Sequence, residues 1–372
     1  MTSYERVMAA FSFQKPDRLP RFDSFWPETV HIYRQKLNLP PNTDLADYFG
    51  NDLYVAVPEE TPFKKVMLAQ NGDEVIYQDG WGSIVRERHD AKFREMLEPA
   101  IKTYDDLEID NENGKLWLPA SDPQRYISFC RVVNAQKEKS KAVFAKIGGL
   151  FIRSTFMRGE VNFLTDLVAD TGFATALVRR LAEHLLQIAL HALSIGNLYD
   201  TGIWIYDDMA YNTTTFISPR IFAQIFQPTY AWMIEKLKKA GARYVILHSD
   251  GNILPLLDLL IDTGFDGIHP VEPKAGMWLP ELRRKYWEKY GSRLILIGGM
   301  CNAHTLPNGP ISAIQAQAKA IISAGREGGV VIGSHSIGPD IPPEHYLAYD
   351  LVLQSHQPDH HEISSGYHQH LQ

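Results

Sequence analysis

Residues 245–253 read VILHSDGNI, so three apolar residues run directly into His248, Ser249, Asp250, Gly251 and Asn252. An imidazole, a hydroxyl, a carboxylate and a carboxamide in succession can bind a cation, move a proton or orient a polar substrate. His248 and Asp250 stand two apart, so at a strand end their side chains leave on the same side. Gly251 allows a tight turn behind them. Asn252 can open the next helix or orient a neighbouring ligand. Similar groups follow other apolar runs. Asp207, Asp208 and Tyr211 come after GIWIY, His269 and Glu272 lie in GIHPVE, Cys301 follows ILIGGM, and His335 follows VVIGS.

Each of these groups has a plainer reading. Asp250 can cap a helix that begins near Ile253. Asp207 and Asp208 are adjacent and diverge, so one faces a pocket and the other is a cap or a solvated charge. His269, before Pro270, fits a hydrogen-bonded core histidine, which leaves Glu272 as the pocket residue of that pair. His335 fits a ligand and a satisfied core residue equally well. Cys301 reads as a small core residue, since no activating partner is visible. It is the delivery of such groups by five different strand ends that points to a functional site.

The elements that must position them are legible as alternation. Eight short runs rich in apolar and β-branched residues lie at 19–25, 53–57, 142–147, 202–206, 243–247, 267–270, 293–297 and 329–332. Stretches with helical spacing separate them. One begins with Ser218-Pro219, a cap followed by proline at the first helical position, and ends at Gly241. Pro228 inside it predicts a kink or a break. Strand-helix alternation demands a parallel sheet, and eight units predict a single (β/α)8 TIM barrel. An open doubly wound sheet is the alternative, but no G-x-G-x-x-G follows a strand. In such a barrel, chemistry sits at the C-terminal strand ends. Residues 68–88 instead alternate apolar and polar and carry the turn pairs Asn71-Gly72 and Asp79-Gly80. They predict an antiparallel hairpin insertion beside the barrel mouth. One domain over 1–357 is expected, followed by a polar, His-rich C-terminal tail at 358–372.

Composition excludes several partner classes. The 372 residues are 45% hydrophobic and 22% charged, as in a globular protein. The net charge of −7, with no basic stripe, speaks against nucleic acid and anionic membrane as partners. No run approaches the roughly 18–20 apolar residues of a membrane span. Two cysteines in so long a chain suit reduced thiols and a cytoplasmic setting.

The segments IWIYDDMAYNTTTFISPRIFAQIFQPTY, VILHSDGNILPLLDLLIDTGFDGIHPVEPKAGM, SRLILIGGM and GGVVIGSHSIGPDIPPEHY, in this order, resemble the uroporphyrinogen decarboxylase superfamily. The opening YERVMAAFSFQKPDRLPRF fits as well. The resemblance implies a (β/α)8 barrel and one of two chemistries. The true decarboxylases grip a tetrapyrrole through an arginine-rich segment close to R-Q-A-G-R-Y. Here that place holds only the scattered Arg18, Arg21 and Arg34, which argues against haem synthesis. The cobamide-dependent methyltransferases use zinc to pass a methyl group to or from a corrinoid protein. Their H-x-C-G-N motif is replaced here by His248-Ser249-Asp250-Gly251-Asn252, and their later cysteine falls on His335. Imidazole and carboxylate still suit zinc and form a harder donor set, better matched to activating an oxygen.

The expected function is therefore a zinc-dependent methyltransferase or demethylase working between a small molecule and a corrinoid on a separate protein. A metal-free decarboxylase or lyase of a small carboxylate is the alternative, and a non-catalytic binding protein the third reading. The resemblance implies His248, Asp250 and His335 as metal ligands, with water, substrate or Glu272 as the fourth. Asp208, Tyr211 and Asn252 are the expected catalytic residues, and Asp207, Trp26 and Glu272 the expected substrate contacts. A homodimer is allowed.

Overall fold

The computed structural model describes residues 1–89, 94–107 and 117–356. The tail expected at 358–372 lies outside the described residues. Eleven strands run in chain order among them: β1 Leu53–Ala56, β2 Val66–Asn71, β3 Glu74–Gln78, β4 Ile84–Arg88, β5 Glu95–Glu98, β6 Ala142–Gly148, β7 Gly202–Tyr206, β8 Tyr244–His248, β9 Gly267–Val271, β10 Ile295–Met300 and β11 Val330–Ser334. Seven of them form one parallel sheet in the order β1-β6-β7-β8-β9-β10-β11. Helices cross between successive members, as parallel pairing requires.

Seven regular strands stand where eight were expected. The eighth run, 19–25, lies between β11 and β1 but makes only two isolated parallel bridges, Arg21 with Ile332 and Phe25 with Ile337. Phe22 N–H donates to the Ile332 carbonyl at 2.9 Å, and Asp52 N–H donates to the Arg21 carbonyl at 2.9 Å. Pro20 lacks an amide, which interrupts a regular ladder here. Side chains take over part of the seam. Arg21, 2% exposed, binds Asp23 at 2.9 Å, Asp350 at 2.5 Å and the Tyr346 hydroxyl at 2.5 Å.

Inside the curl, Phe22, Leu53, Phe144, Trp204, Ile246, Ile297 and Val331 form one buried cluster. Burial of each large member contributes roughly 1.5–3 kcal/mol. The helix Ser3–Phe11 adds Val7, Met8 and Phe11 to this cluster, with Phe11 edge-on to Tyr244 at 5.0 Å. The interior is thus packed below the C-terminal strand ends, and chemistry is confined to those ends.

The insertion is larger than the expected hairpin at 68–88. It is a four-stranded antiparallel sheet in the order β2-β3-β4-β5. The fourth strand, EMLE, is short and acid-flanked, so it carries little strand signal. Trp81 packs on Phe156 of the helix Leu150–Arg158, which leaves the C-terminal end of β6, so the insertion sits on the mouth side. At Pro228 the helix is interrupted rather than regular. A π-turn at Phe222–Phe226 precedes Gln227–Lys239 and absorbs the missing amide. Among the described residues no helix is long and apolar enough to cross a membrane.

Candidate metal centre

Side-chain alternation on β8 sends Tyr244, Ile246 and His248 inward, and the register sets His248 level with Tyr206 of β7 and His269 of β9. The chain then turns at Gly251, where φ is +82° and an added Cβ would lie 2.6 Å from the Tyr211 carbonyl oxygen. Only glycine tolerates that turn without displacement. The turn leaves Asp250 beside His248, with His248 Nε2 at 3.3 Å from Asp250 Oδ1. From the far end of the sheet, past β11, His335 Nε2 comes to 3.1 Å from Asp250 Oδ2. The ligating atoms of His248, Asp250 and His335 all lie within 4.8 Å of one another.

The donor set fits a divalent cation. Two ligands on one tetrahedral zinc, each about 2.0–2.1 Å from it, stand roughly 3.3 Å apart. The His248–Asp250 and His335–Asp250 separations are of that size. His248 Nε2 and Asp250 Oδ1 are buried without a hydrogen bond, so two good donors face the same space unpaired. Burial alone would raise the Asp250 carboxyl, but the facing His248, then His335 and Lys274, outweigh it and hold it below the usual range. Burial pushes His335 down, against the attraction of Asp250. Both residues are thereby kept in the forms that bind metal.

A shell of hydrogen bonds orients these donors. His248 Nδ1 lies 2.7 Å from His269 Nδ1. Burial, then the neighbouring His248, depresses His269 far below an ordinary histidine, so it is neutral. Donation by His248 Nδ1–H leaves the Nε2 lone pair facing Asp250 and His335. Asp208 accepts from the Asp250 amide at 3.0 Å and from the Tyr206 hydroxyl at 2.7 Å. Glu272 accepts from the Gly251 amide at 2.7 Å and pairs with Lys274 at 3.2 Å. It braces the turn and is not among the three converging ligands.

The structure does not bring every expected residue to the centre. Asp207 is fully buried, accepting from the Phe151 and Ile152 amides and the Tyr230 hydroxyl at 3.1, 2.7 and 2.5 Å. It caps the helix Leu150–Arg158, and burial raises it to about 6. With both oxygens used below the surface, it has no substrate to touch. Asn252 Oδ1 accepts from the Leu254 amide at 3.1 Å, and its Nδ2 donates to the Thr213 carbonyl at 3.2 Å. Asn252, rather than Asp250, serves the helix start, and this frees Asp250. Tyr211 and Trp26 are 47% and 44% exposed. Tyr211 packs tilted against Phe216 at 5.3 Å, and the Trp26 backbone amide donates to the Ile337 carbonyl at 3.1 Å, two residues beyond His335. Both belong to the rim.

Sequence reasoning missed the support. His269 looked like core because only tertiary register sets it against His248. Lys146 is a cation inside the apolar run AVFAKI, which was the available signal. It follows inward-facing Phe144 by two and lies opposite Trp204, so it also faces inward, its Nζ 4.4 Å from the Tyr206 ring centre. Among the described residues it makes no hydrogen bond or ion pair. Burial, then the Arg153 charge, lowers its pKa.

The three N-terminal arginines are all engaged. Arg18 binds Asp52 at 2.7 Å, Arg21 is buried, and Arg34 donates to the Thr43 carbonyl at 2.6 Å. They cannot form a cationic floor for a polycarboxylate.

A family model described as uroporphyrinogen decarboxylase (URO-D) matches residues 92–349. The chain belongs to the URO-D family. Two curated relatives, both the methylcobamide:CoM methyltransferase MtaA of Methanosarcina barkeri, are 27% identical to this URO-D chain over 223 residues. The match covers 58% of this chain and 62% of theirs, so the chain spans under two thirds of the length of these relatives. A solved methyltransferase from Methanosarcina mazei superposes with a TM-score of 0.62 over 95% of this chain and 99% of that one, at 18% identity. At that identity the likeness is one of fold, and it extends the URO-D assignment to a TIM-barrel-like architecture.

Proposed function

We propose that this URO-D family chain is a zinc-dependent methyltransferase, passing a methyl group between a small molecule and a corrinoid carried by a separate protein. The curled sheet, with residues 19–25 in the eighth position, is read as a closed (β/α)8 barrel over 1–357 whose mouth receives the corrinoid. The observation that carries the reading is the convergence of His248, Asp250 and His335, with buried donors unpaired. The names of the M. barkeri relatives support the methyl-transfer chemistry.

Zinc on two nitrogens and an oxygen supplies Lewis acidity toward a methyl-bearing oxygen or nitrogen. The chain's own residues do the positioning. His269 fixes the His248 tautomer, and Asp208 with Glu272 holds the Asp250–Gly251 turn. Tyr206 keeps its proton, because burial and Asp208 raise it, and so stays a donor to Asp208. Tyr211, Phe216 and Trp26 give the rim an aromatic surface suited to an apolar ligand.

Elemental analysis of protein purified without chelators tests the proposal. About one zinc per chain is expected, as for a three-ligand site with one open position, with loss in His248→Ala and His335→Ala. Substoichiometric zinc in the parent, or unchanged zinc in both variants, overturns it.

One observation favours a second reading, a metal-free decarboxylase or lyase of a small carboxylate. Lys146 faces inward and, among the described residues, forms no ion pair, so a substrate carboxylate would satisfy it. Asp208 or Asp250 would then be the proton donor or cation stabiliser, with Tyr211 and His335 assisting. The zinc measurement separates the two readings.

A further inference from the structure

The wall of the mouth built by β6 holds two cations and one carboxylate. Lys146 is the one member of β6 that is not fully buried. The next inward position of the strand is Gly148. A Cβ there would collide with Arg153 Nε, so the glycine makes room for the Arg153 side chain to fold in above Lys146. Arg153 pairs with Glu60, and Glu60 also accepts from the Gly148 amide at 2.5 Å. The one carboxylate is thus committed to Arg153 and the backbone. Lys146 Nζ is left 4.4 Å from the centre of the Tyr206 ring and, among the described residues, forms no ion pair.

The other acids of the mouth are engaged elsewhere. Asp208 gives its oxygens to the Asp250 amide and the Tyr206 hydroxyl, Asp250 faces His248 and His335, and Glu272 pairs with Lys274. A ring face holds an ammonium less firmly than a carboxylate does. Burial and the Arg153 charge disfavour the charged form of Lys146, and a carboxylate alongside would oppose both.

The way in is lined by further cations. Arg94 of the insertion and Arg153 both stand against Phe156, 5.6 and 5.1 Å from its ring centre, and Arg153 stands 5.8 Å from that of Tyr206. Asp79 holds Arg94 at 3.0 Å, and Glu60 holds Arg153. In this series Lys146 alone lacks a carboxylate among the described residues. The Tyr206 ring is shared with the metal centre, its centre 5.0 Å from that of the His248 ring. A group at Lys146 and an atom at the centre are therefore within reach of one small molecule.

We propose that Lys146 is a specificity-determining residue of the metal centre, binding a carboxylate on a substrate that also carries the methyl-bearing oxygen or nitrogen. The proposal rests on the methyl-transfer reading and names the class of substrate which that reading leaves open. One spare unit charge matches a carboxylate and falls short of a phosphate, which approaches two charges at neutral pH.

Calorimetric titration of the full chain tests it with two probe pairs of different length, methoxyacetate against methoxyacetamide and 4-methoxybenzoate against 4-methoxybenzamide. Members of a pair share a shape and differ in charge. The parent is expected to prefer the carboxylate of at least one pair by about 10–100-fold, the scale of a hydrogen bond to a charged group. Lys146→Met should lose the preference, bind the amide as the parent does and keep the parent's zinc content. If circular dichroism shows that variant to be unfolded, Lys146→Gln replaces it with the same expectation. Repeating the titrations after chelator treatment keeps the two proposals apart. A preference lost in Lys146→Met upholds the anchor, and if it persists after chelation it does so even where the zinc proposal fails. A preference unchanged by Lys146→Met places the carboxylate on the metal or elsewhere and overturns the anchor. A parent that binds carboxylate and amide alike, or binds neither carboxylate, overturns it as well.

Discussion

The Nδ1 atoms of His248 and His269 lie 2.7 Å apart, inside the curl and directly beneath the candidate metal centre. One proton serves both rings. With His248 as its donor, the neutral, buried His269 accepts it, and His248 then presents Nε2 to Asp250 and His335.

His269→Phe should therefore leave the fold intact but loosen the centre. A hydrogen-bond partner to a metal-binding histidine typically accounts for 10–100-fold in metal affinity. Competition against a chromophoric zinc chelator should show a loss in that range. An unchanged affinity would remove His269 from the orienting role.

Asn252 gives the opposite expectation. It holds the Leu254 amide and the Thr213 carbonyl rather than the centre. Asn252→Ala should cost about 1 kcal/mol in urea unfolding, the usual loss for a helix-start acceptor. Zinc stoichiometry should be that of the parent. A lost zinc with normal stability would return Asn252 to the catalytic set.

The seam at Arg21 is where stability is concentrated. Its guanidinium is buried between Asp23, Asp350 and Tyr346. Removing one partner from a buried ion pair strands the other charges and costs about 3–5 kcal/mol. Arg21→Met should lower the urea midpoint accordingly, and a loss under about 1 kcal/mol, the scale of an exposed pair, would show the seam to be solvated.

His184 predicts an acid weakness. Its Nε2–H donates to the Glu60 carbonyl at 2.7 Å, and burial pushes it from 6.5 down to about 4. Between those values the unfolded chain takes up a proton that the folded chain refuses. The stabilisation is complete above pH 6.5 and is lost as pH falls toward 4, by about 3 kcal/mol. Glu60 also binds the Gly148 amide at 2.5 Å and pairs with Arg153, so the mouth loosens with it. Urea unfolding across this range should show the slope, and His184→Gln, which keeps a donor and cannot titrate, should flatten it.

Local residue order was enough to read seven of the eight expected barrel strands, the strand-helix alternation and the pairing of His248 with Asp250, because spacing by two in an extended chain sets the facing side. The glycine turn after Asp250 was legible for the same local reason. The family motifs proposed His335, but the 84 positions between it and Asp250 say nothing about distance. Only the curl of the parallel sheet brings β8 and the end of β11 within bonding range. Tertiary register likewise decided that His269 supports His248 and that Asp207 turns down to cap a helix while Asp208 turns toward the centre. Adjacent residues on a strand must take opposite faces, but which face becomes the mouth is set by what packs against the other, and here that is Tyr230 and the amides of Phe151 and Ile152.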